Sequence, residues 1–339
     1  MHTQSKFRLL VVRLGAMGDI LHALPAVTAL RQTHPAWEID WVVEPRWRAL
    51  LTAREGADRG PEQPVVDKLY LAPTREWRHN PLSPKTTHEI NALRTQLRAV
   101  PYSAVIDLQG GLRSAVISKM AGCHRLIGEE TPRETPARWF FTERVETHGA
   151  HVIEQDVELA AAVAGDTLTP VVPMLPVDAA AEAWCEALLA SSGTRPVAVI
   201  NPGAGWGAKR WPVERYAEVA RGLSERGFRI LVNVGPGEEL MADVIVKGTI
   251  GAAIPLATSL EQLIAITRRA ALFVAGDTGP LHLACALGKP VVGIYGPTDP
   301  SRNGPYGTRF RVLRSPLSKR DHTRYPDPEV GLLTIEPEE

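Results

Sequence analysis

Two short glycine turns, roughly 260 residues apart, constrain this chain more than any other feature: Arg13-Leu14-Gly15-Ala16-Met17-Gly18-Asp19 and Ala275-Gly276-Asp277-Thr278-Gly279-Pro280-Leu281-His282. Each follows an apolar run that reads as a buried strand, and each opens onto a stretch that reads as a helix. A strand, a glycine turn and a helix start form the phosphate-facing half of a nucleotide fold. Two such halves predict an α/β protein of two Rossmann-like, doubly wound parallel-sheet domains facing a central cleft.

At 339 residues the chain outgrows one ordinary core and suits two domains of about 150 residues. In the first half, apolar runs at 7–12, 39–43, 65–71 and 104–108 read as strands, and helical patterns run from the first glycine turn to Thr33 and over 88–99 and 112–121. His34-Pro35 stops the first of these helices. Over 165–176 the alternation lapses, and Pro170, Pro173 and Pro176 give a stiff, extended connector. Beyond it, strand patterns at 197–201, 229–234, 271–275 and 291–295 alternate with helical ones at 213–226, 238–247, 259–269 and 280–287. The organisation expected is one domain over 1–168, a second over 169–315 and a C-terminal tail over 316–339. That tail is basic and Pro-broken, and its Pro337-Glu338-Glu339 ending reads as a helix start cut short.

Lys plus Arg equal Asp plus Glu at 38 each, so no global field draws nucleic acid or membrane, and an anionic partner must be met by local basic clusters. Cys123, Cys185 and Cys285 are scattered, odd in number and without C-x-x-C spacing, which suits a reduced, cytosolic protein. The polar start runs straight into a strand and no apolar run approaches 18 residues, so neither signal peptide nor membrane span is expected.

Gly15 and Gly18 let backbone approach a ligand, or simply make a tight turn. Asp19, at the predicted helix start, either caps that helix, worth about 1 kcal/mol, or takes a proton from a substrate hydroxyl. Near the other turn, Gly279 suits a cap, Pro280 a first helical position and Leu281 the buried face. A helix start at a strand's carboxyl end is a diphosphate site, with Thr278 and Gly279 at its mouth. His282 lies one turn inside, where it contacts a ligand or packs as an ordinary helix residue. The loop Asn201-Pro202-Gly203-Ala204-Gly205-Trp206-Gly207-Ala208-Lys209-Arg210 offers Ala204 and Gly205 to clear space and Lys209 or Arg210 to neutralise phosphate, unless it is a solvated loop. Glu238, after Gly235-Pro236-Gly237, suits either ribose hydroxyls or the helix dipole. No D-x-D pair or G-x-S-x-G occurs, and His148 with His151 is a couple without a third ligand in range, read as surface or acceptor-side residues.

Taken together, these residues resemble the bacterial lipopolysaccharide heptosyltransferases of glycosyltransferase family 9, most closely the type I enzymes. The resemblance rests on the first glycine turn with Ile20-Leu21-His22-Ala23-Leu24-Pro25, Asp40-Trp41-Val42-Val43-Glu44, Val105-Ile106-Asp107-Leu108-Gln109-Gly110 with Arg113, Lys209-Arg210-Trp211-Pro212, the second glycine turn and Tyr295-Gly296-Pro297-Thr298-Asp299-Pro300. It implies a GT-B fold, with an acceptor-binding first domain and a donor-binding second one. The implied reaction is inverting transfer of heptose from ADP-heptose to the Kdo of Kdo-lipid A, without metal or other cofactor. Asp19 then falls on the general base, Lys209 on the leaving-group cation, Glu238 on the ribose ligand, Asp277 on a ligand of the sugar hydroxyls and His282 near the phosphates. Arg113 and Arg133 match basic positions on the acceptor side. Ala204-Gly205 departs from the hydroxyl residues of some type I enzymes, which shifts phosphate contacts to backbone N–H groups. The C-terminal helix that the family carries back to the first domain is here barely begun.

Three other readings remain at this point: a family member using another nucleotide sugar, a nucleotide-sugar epimerase of similar fold that needs no lipid acceptor, and a non-catalytic sugar-nucleotide binder indifferent to loss of Asp19. Arg46-Trp47-Arg48, Trp77-Arg78-His79 and Arg138-Trp139-Phe140-Phe141 pair cations with aromatics and suggest peripheral contact at the cytoplasmic face of the inner membrane, or ordinary packing.

Overall fold

The computed structural model describes residues 6–190, 193–321 and 323–339, so residues 1–5 of the polar start lie outside the described residues. The chain divides into two units, Met1–Pro176 and Val177–Glu339.

In the first unit Leu9, Leu10, Val11 and Val12 are wholly buried, as a parallel strand covered on both faces requires. The strands are β1 (Arg8–Val12), β2 (Glu38–Val43), β3 (Lys68–Leu71), β4 (Ala104–Asp107), β5 (Leu126–Glu129) and β6 (Glu143–Val145). All pair in parallel, in the order β3-β2-β1-β4-β5-β6. The helices are α1 (Met17–Thr33), α2 (Thr74–His79), α3 (Pro84–Arg98), α4 (Leu112–Met120) and α5 (Val152–Ala164). α1 packs along α5 and is buried from Ile20 through Arg31. Gly165, in the left-handed conformation, closes α5.

The second unit opens with α6 (Ala179–Leu189) and continues through β7 (Val197–Asn201), α7 (Val213–Glu225), β8 (Arg229–Asn233), α8 (Glu239–Gly248), β9 (Ala253–Leu256), α9 (Leu260–Arg269), β10 (Leu272–Gly276), α10 (Gly279–Ala286), β11 (Val291–Tyr295), α11 (Pro300–Asn303) and β12 (Phe310–Arg314). Its sheet, again all parallel, runs β9-β8-β7-β10-β11-β12, the same permutation as the first. Along β7, Ala198 and Ile200 join one apolar cluster with Trp211, Tyr216 and Leu332, while Val197 and Val199 join another with Cys185, Phe273 and Leu281. Alternate residues of a strand point to opposite faces, so this sheet is covered on both sides.

The expected α/β class with two doubly wound parallel sheets is therefore the fold observed. Two boundaries differ from expectation. The division falls after Pro176 rather than after 168, because the Pro-rich stretch lies on the first unit: Leu175 is buried and the Met174 N–H donates to Thr28 Oγ1 at 3.4 Å. Residues 316–339 are not an appended tail. A 3-10 turn at Val330–Thr334 sends Leu332 and Ile335 into the core, and a methyl group on Gly296 would meet Leu332 at 2.7 Å. Residues 336–339 form a turn in which the Glu339 N–H donates to Glu336 O at 3.3 Å, in place of the helix start expected there. No helix of the described residues is long and apolar enough to cross a membrane.

Candidate active site

A sheet of this permutation reverses its winding between β1 and β4, and again between β7 and β10. Ligands bind outside the carboxyl ends of the strands at such a point. Both glycine turns sit there, one in each unit.

In the first unit, Gly15 is required by contact. A methyl group at that position would meet Trp47 Nε1 at 2.7 Å. Gln109, after β4, crosses the switch point and its Oε1 accepts the N–H groups of Leu14 (3.1 Å) and Gly15 (3.4 Å). Asp19 does what a cap does: its Oδ2 accepts the Ala16 N–H at 2.8 Å, satisfying a donor that α1 leaves open. Its Oδ1 lies 3.4 Å from Arg13 Nη2, and the side chain keeps 38% of its surface exposed. Capping and access to a ligand are thus compatible. Arg13 is buried and also donates to the carbonyls of Asp19 (3.2 Å) and Leu108.

Around this turn, Glu44 accepts from Thr74 Oγ1 and from the Arg75 N–H at 2.9 Å. Arg113, exposed on α4, donates to Thr74 Oγ1 at 3.3 Å. Arg133 is exposed too, and its backbone N would stand 3.0 Å from a Cβ at Gly110. Gly110, with φ of +62°, is fixed twice, by handedness and by that approach.

The turn after β4 hangs on Asp107, which is 1% exposed. Its Oδ1 accepts the N–H groups of Gln109 (2.8 Å) and Gly110 (2.9 Å) and the Ser114 hydroxyl (3.0 Å). Burial pushes the carboxyl up to about 6, against those hydrogen bonds and the Arg13 charge. A carboxyl raised in the fold stabilises fully below its unfolded value and loses that contribution as pH rises through about 6. Asn at this position keeps the acceptor oxygen without the charge. Asp107→Asn is expected to gain on wild type by up to about 3 kcal/mol between pH 4 and 7 in urea unfolding. A pH-independent difference would contradict this.

In the second unit, Lys209 ends a 3-10 turn, Gly207–Lys209, on the β7 loop. Its ammonium is bonded to Asp277 Oδ2 and donates to the Asp277 carbonyl at 3.3 Å. Asp277 Oδ1 lies 3.1 Å from His282 Nε2, and all three side chains are about nine-tenths buried or more. Burial alone would raise the Asp277 carboxyl, but the His282 hydrogen bond and the charges of Lys209 and His282 outweigh it and hold the group well below the usual carboxylate range. Lys carries three donors, so one remains for a ligand.

Thr278, not Gly279, is the N-cap of α10, and its hydroxyl donates to Gly276 O at 3.2 Å instead of capping. Pro280 has no N–H. Among the described residues nothing accepts the first-turn N–H groups of Gly279 and Leu281, which stand at the helix's positive end. Glu238 lies over Gly203, where a methyl group would meet its Oε2 at 2.1 Å, and accepts the Gly235 N–H at 2.9 Å. Ala204 is buried, and Gly205 is exposed with open space where a Cβ would stand.

Each unit thus gathers its own predicted residues: Gly15, Gly18 and Asp19 beside the segments of Arg113 and Arg133, and Lys209 with Asp277 and His282 beside Thr278, Gly279 and Leu281. Arg210 is exposed, which leaves Lys209 as the inward cation. His151 is buried rather than at the surface: its Nδ1 accepts the Ile153 N–H at 3.2 Å and caps α5, and its ring stands edge-on to His22 at 5.5 Å. Among the described residues no three His, Cys, Asp or Glu side chains gather as a metal-ligand set. Of the three aromatic and basic segments, Trp77 is buried and donates to Glu89, Trp47 lies half-buried against Gly15, and Trp139 is 79% exposed.

Sequence reasoning missed Arg13, Gln109 and Asp107, all within segments it had quoted. It also missed a chain of side chains at the carboxyl ends of β7 and β8, where Thr258 donates to Asn233 (2.6 Å) and Asn233 to Asn201 (2.8 Å). A polar residue closing an apolar strand, as Asn201 and Asn233 do, was the available signal.

Residues 90–332 match the family model described as glycosyltransferase family 9 (heptosyltransferase). Lipopolysaccharide heptosyltransferase 1 of Escherichia coli strain K12 is 32% identical over 320 residues, 91% of this chain and 94% of that protein. Among solved structures, E. coli heptosyltransferase WaaC with ADP superposes with a TM-score of 0.76 at 31% identity, and WaaC with ADP-2-deoxy-2-fluoro heptose with 0.74 at 30%. Each covers 91% of this chain and 94% of its own.

Proposed function

Because this chain belongs to glycosyltransferase family 9, the heptosyltransferases, we propose that it moves heptose from ADP-heptose to the Kdo of Kdo-lipid A by single displacement with inversion. Its paired parallel six-stranded sheets are those of GT-B heptosyltransferases. The observation that carries the proposal is the Lys209–Asp277–His282 cluster at the open end of α10, in a chain similar to a structure holding ADP.

In this reading the acceptor binds to the first unit, with Gly15 and Gly18 giving backbone access and Arg113 and Arg133 meeting Kdo carboxylate and lipid A phosphate. Asp19 takes the proton of the attacking hydroxyl while that oxygen bonds to the anomeric carbon. The bond from that carbon to the β-phosphate oxygen breaks, and its electron pair leaves with ADP. Attack from the face opposite the leaving group inverts the centre. Lys209 and the N–H groups of Gly279 and Leu281 stabilise the departing charge, and no metal is needed for it. Asp277 holds Lys209 and His282, and its remaining lone pairs suit sugar hydroxyls. Glu238 takes the ribose hydroxyls, Thr278 and His282 flank the phosphates, and Ala204 and Gly205 leave their backbone N–H groups to them. Peripheral contact with the inner membrane belongs to the same reading, through the exposed Trp139, beside an Arg138 that is paired with Glu130.

One experiment tests it: ADP-heptose and Kdo-lipid A in anionic liposomes, with chelator, read as transfer and as flotation of the protein. Transfer and flotation at low salt are expected. Loss of activity in chelator would end the metal-free step, and turnover of ADP-heptose without acceptor would favour an epimerase.

A further inference from the structure

We propose that Arg324 is a second cation for the donor's diphosphate, acting beside Lys209, an assignment that rests on the donor site proposed above. The segment that carries it is fastened to the Lys209 turn from both sides. Tyr325 O accepts the Ala208 N–H at 3.0 Å, and the Glu329 N–H donates to Ala208 O at 3.2 Å. Gly207 makes room for this, since a Cβ there would fall 1.5 Å from Pro326 O. Residue 324 is therefore held next to the loop that carries Lys209.

Both cations gather at one ring. Lys209 Nζ lies 4.3 Å from the centre of the Trp206 indole, and the Arg324 guanidinium carbon 5.5 Å from it. An aromatic face attracts each of them, yet two like charges on one ring repel. Asp277 answers Lys209. Arg324 is exposed and makes no ion pair among the described residues. The nearby Glu329 is committed to Ser318, Lys319 and Leu332. The Trp206 Nε1–H is buried and finds no acceptor among the described residues.

An uncompensated guanidinium and one remaining Lys209 donor, gathered at one indole ring, make a place for an anion with several oxygens. A guanidinium binds such a group through two parallel N–H donors, which an ammonium cannot do. The diphosphate leaving group has oxygens enough for both cations, and its charge grows as the sugar departs.

The test is calorimetric titration of wild type, Arg324→Ala and Arg324→Lys with ADP and with adenosine. Arg324→Ala is expected to weaken ADP about tenfold and leave adenosine unchanged, with Arg324→Lys recovering only part. In turnover, the Ala variant is expected to lose kcat as well as donor affinity, because the contact strengthens as charge develops. ADP binding within twofold of wild type overturns the assignment. So does an equal loss for ADP and adenosine, which would make Arg324 a prop for the loop. Wild type that fails to bind ADP instead removes the donor site itself, and the assignment falls with it.

Discussion

Asp19→Asn is expected to lower the rate of transfer at saturating donor by at least about 100-fold, with the fold and the affinity for ADP unchanged. The two roles open to this carboxylate separate cleanly under that substitution. As a cap, Asp19 accepts the Ala16 N–H through Oδ2, and Asn accepts the same bond through its amide oxygen, so α1 begins as before. Arg13 loses a partner at 3.4 Å but keeps the carbonyls of Asp19 and Leu108. As a base, Asn is useless, because an amide does not take up the proton of an attacking hydroxyl. Initial rates, a melting curve and an ADP titration together give the answer. A variant that keeps more than a tenth of the wild-type rate would confine Asp19 to capping.

The strands that the sequence reveals to the residue, such as Val197–Asn201 and Val291–Tyr295, are those with neighbours on both sides. Buried on two faces, they are almost wholly apolar and read as apolar runs, with Asn201 as the polar residue that closes the first of them. The unread strands lie at the sheet edges or next to them. Glu143–Val145 and Phe310–Arg314 carry charged, partly exposed residues, and Ala253–Leu256 contains Pro255, which an edge tolerates because one side of the strand needs no N–H donor. Leu126–Glu129 contains Gly128, where any side chain would strike the Phe141 ring at 2.4 Å. That glycine broke the apolar pattern for a packing reason found only in three dimensions.

The site follows the same logic. Glycine turns after apolar runs are visible locally, so Gly15, Asp19 and Asp277 stand out. What a sequence does not display is which strands are neighbours. Lys209 and Asp277 are 68 residues apart and meet because β7 and β10 pair at the switch point. Arg13 looks like a polar residue ending a strand, until its burial between Asp19 and the Leu108 carbonyl shows what it holds. The last two dozen residues look like an appendage because their apolar residues are few. Leu332 and Ile335 suffice to bind them to the core, with the Trp211 Nε1–H donating to Ile335 O at 3.1 Å.

Lys209→Met should both unsettle the second unit and stop transfer, and a second substitution separates the two effects. Removing Lys209 leaves Asp277, 8% exposed, as a buried carboxylate with His282 as its remaining partner. Breaking a buried pair on one side costs about 3 kcal/mol or more, most of it the stranded charge. Loss of a cation aimed at a departing phosphate costs about 100- to 1,000-fold in rate. Adding Asp277→Asn removes the stranded charge, so the double variant is expected to regain most of the lost stability in urea unfolding. Its transfer rate is expected to stay at the level of Lys209→Met or below, because no cation has been returned to the leaving group. Recovery of transfer along with stability would mean that Lys209 serves only to neutralise Asp277. A single variant as stable as wild type would mean that Asp277 does not depend on Lys209 for its charge.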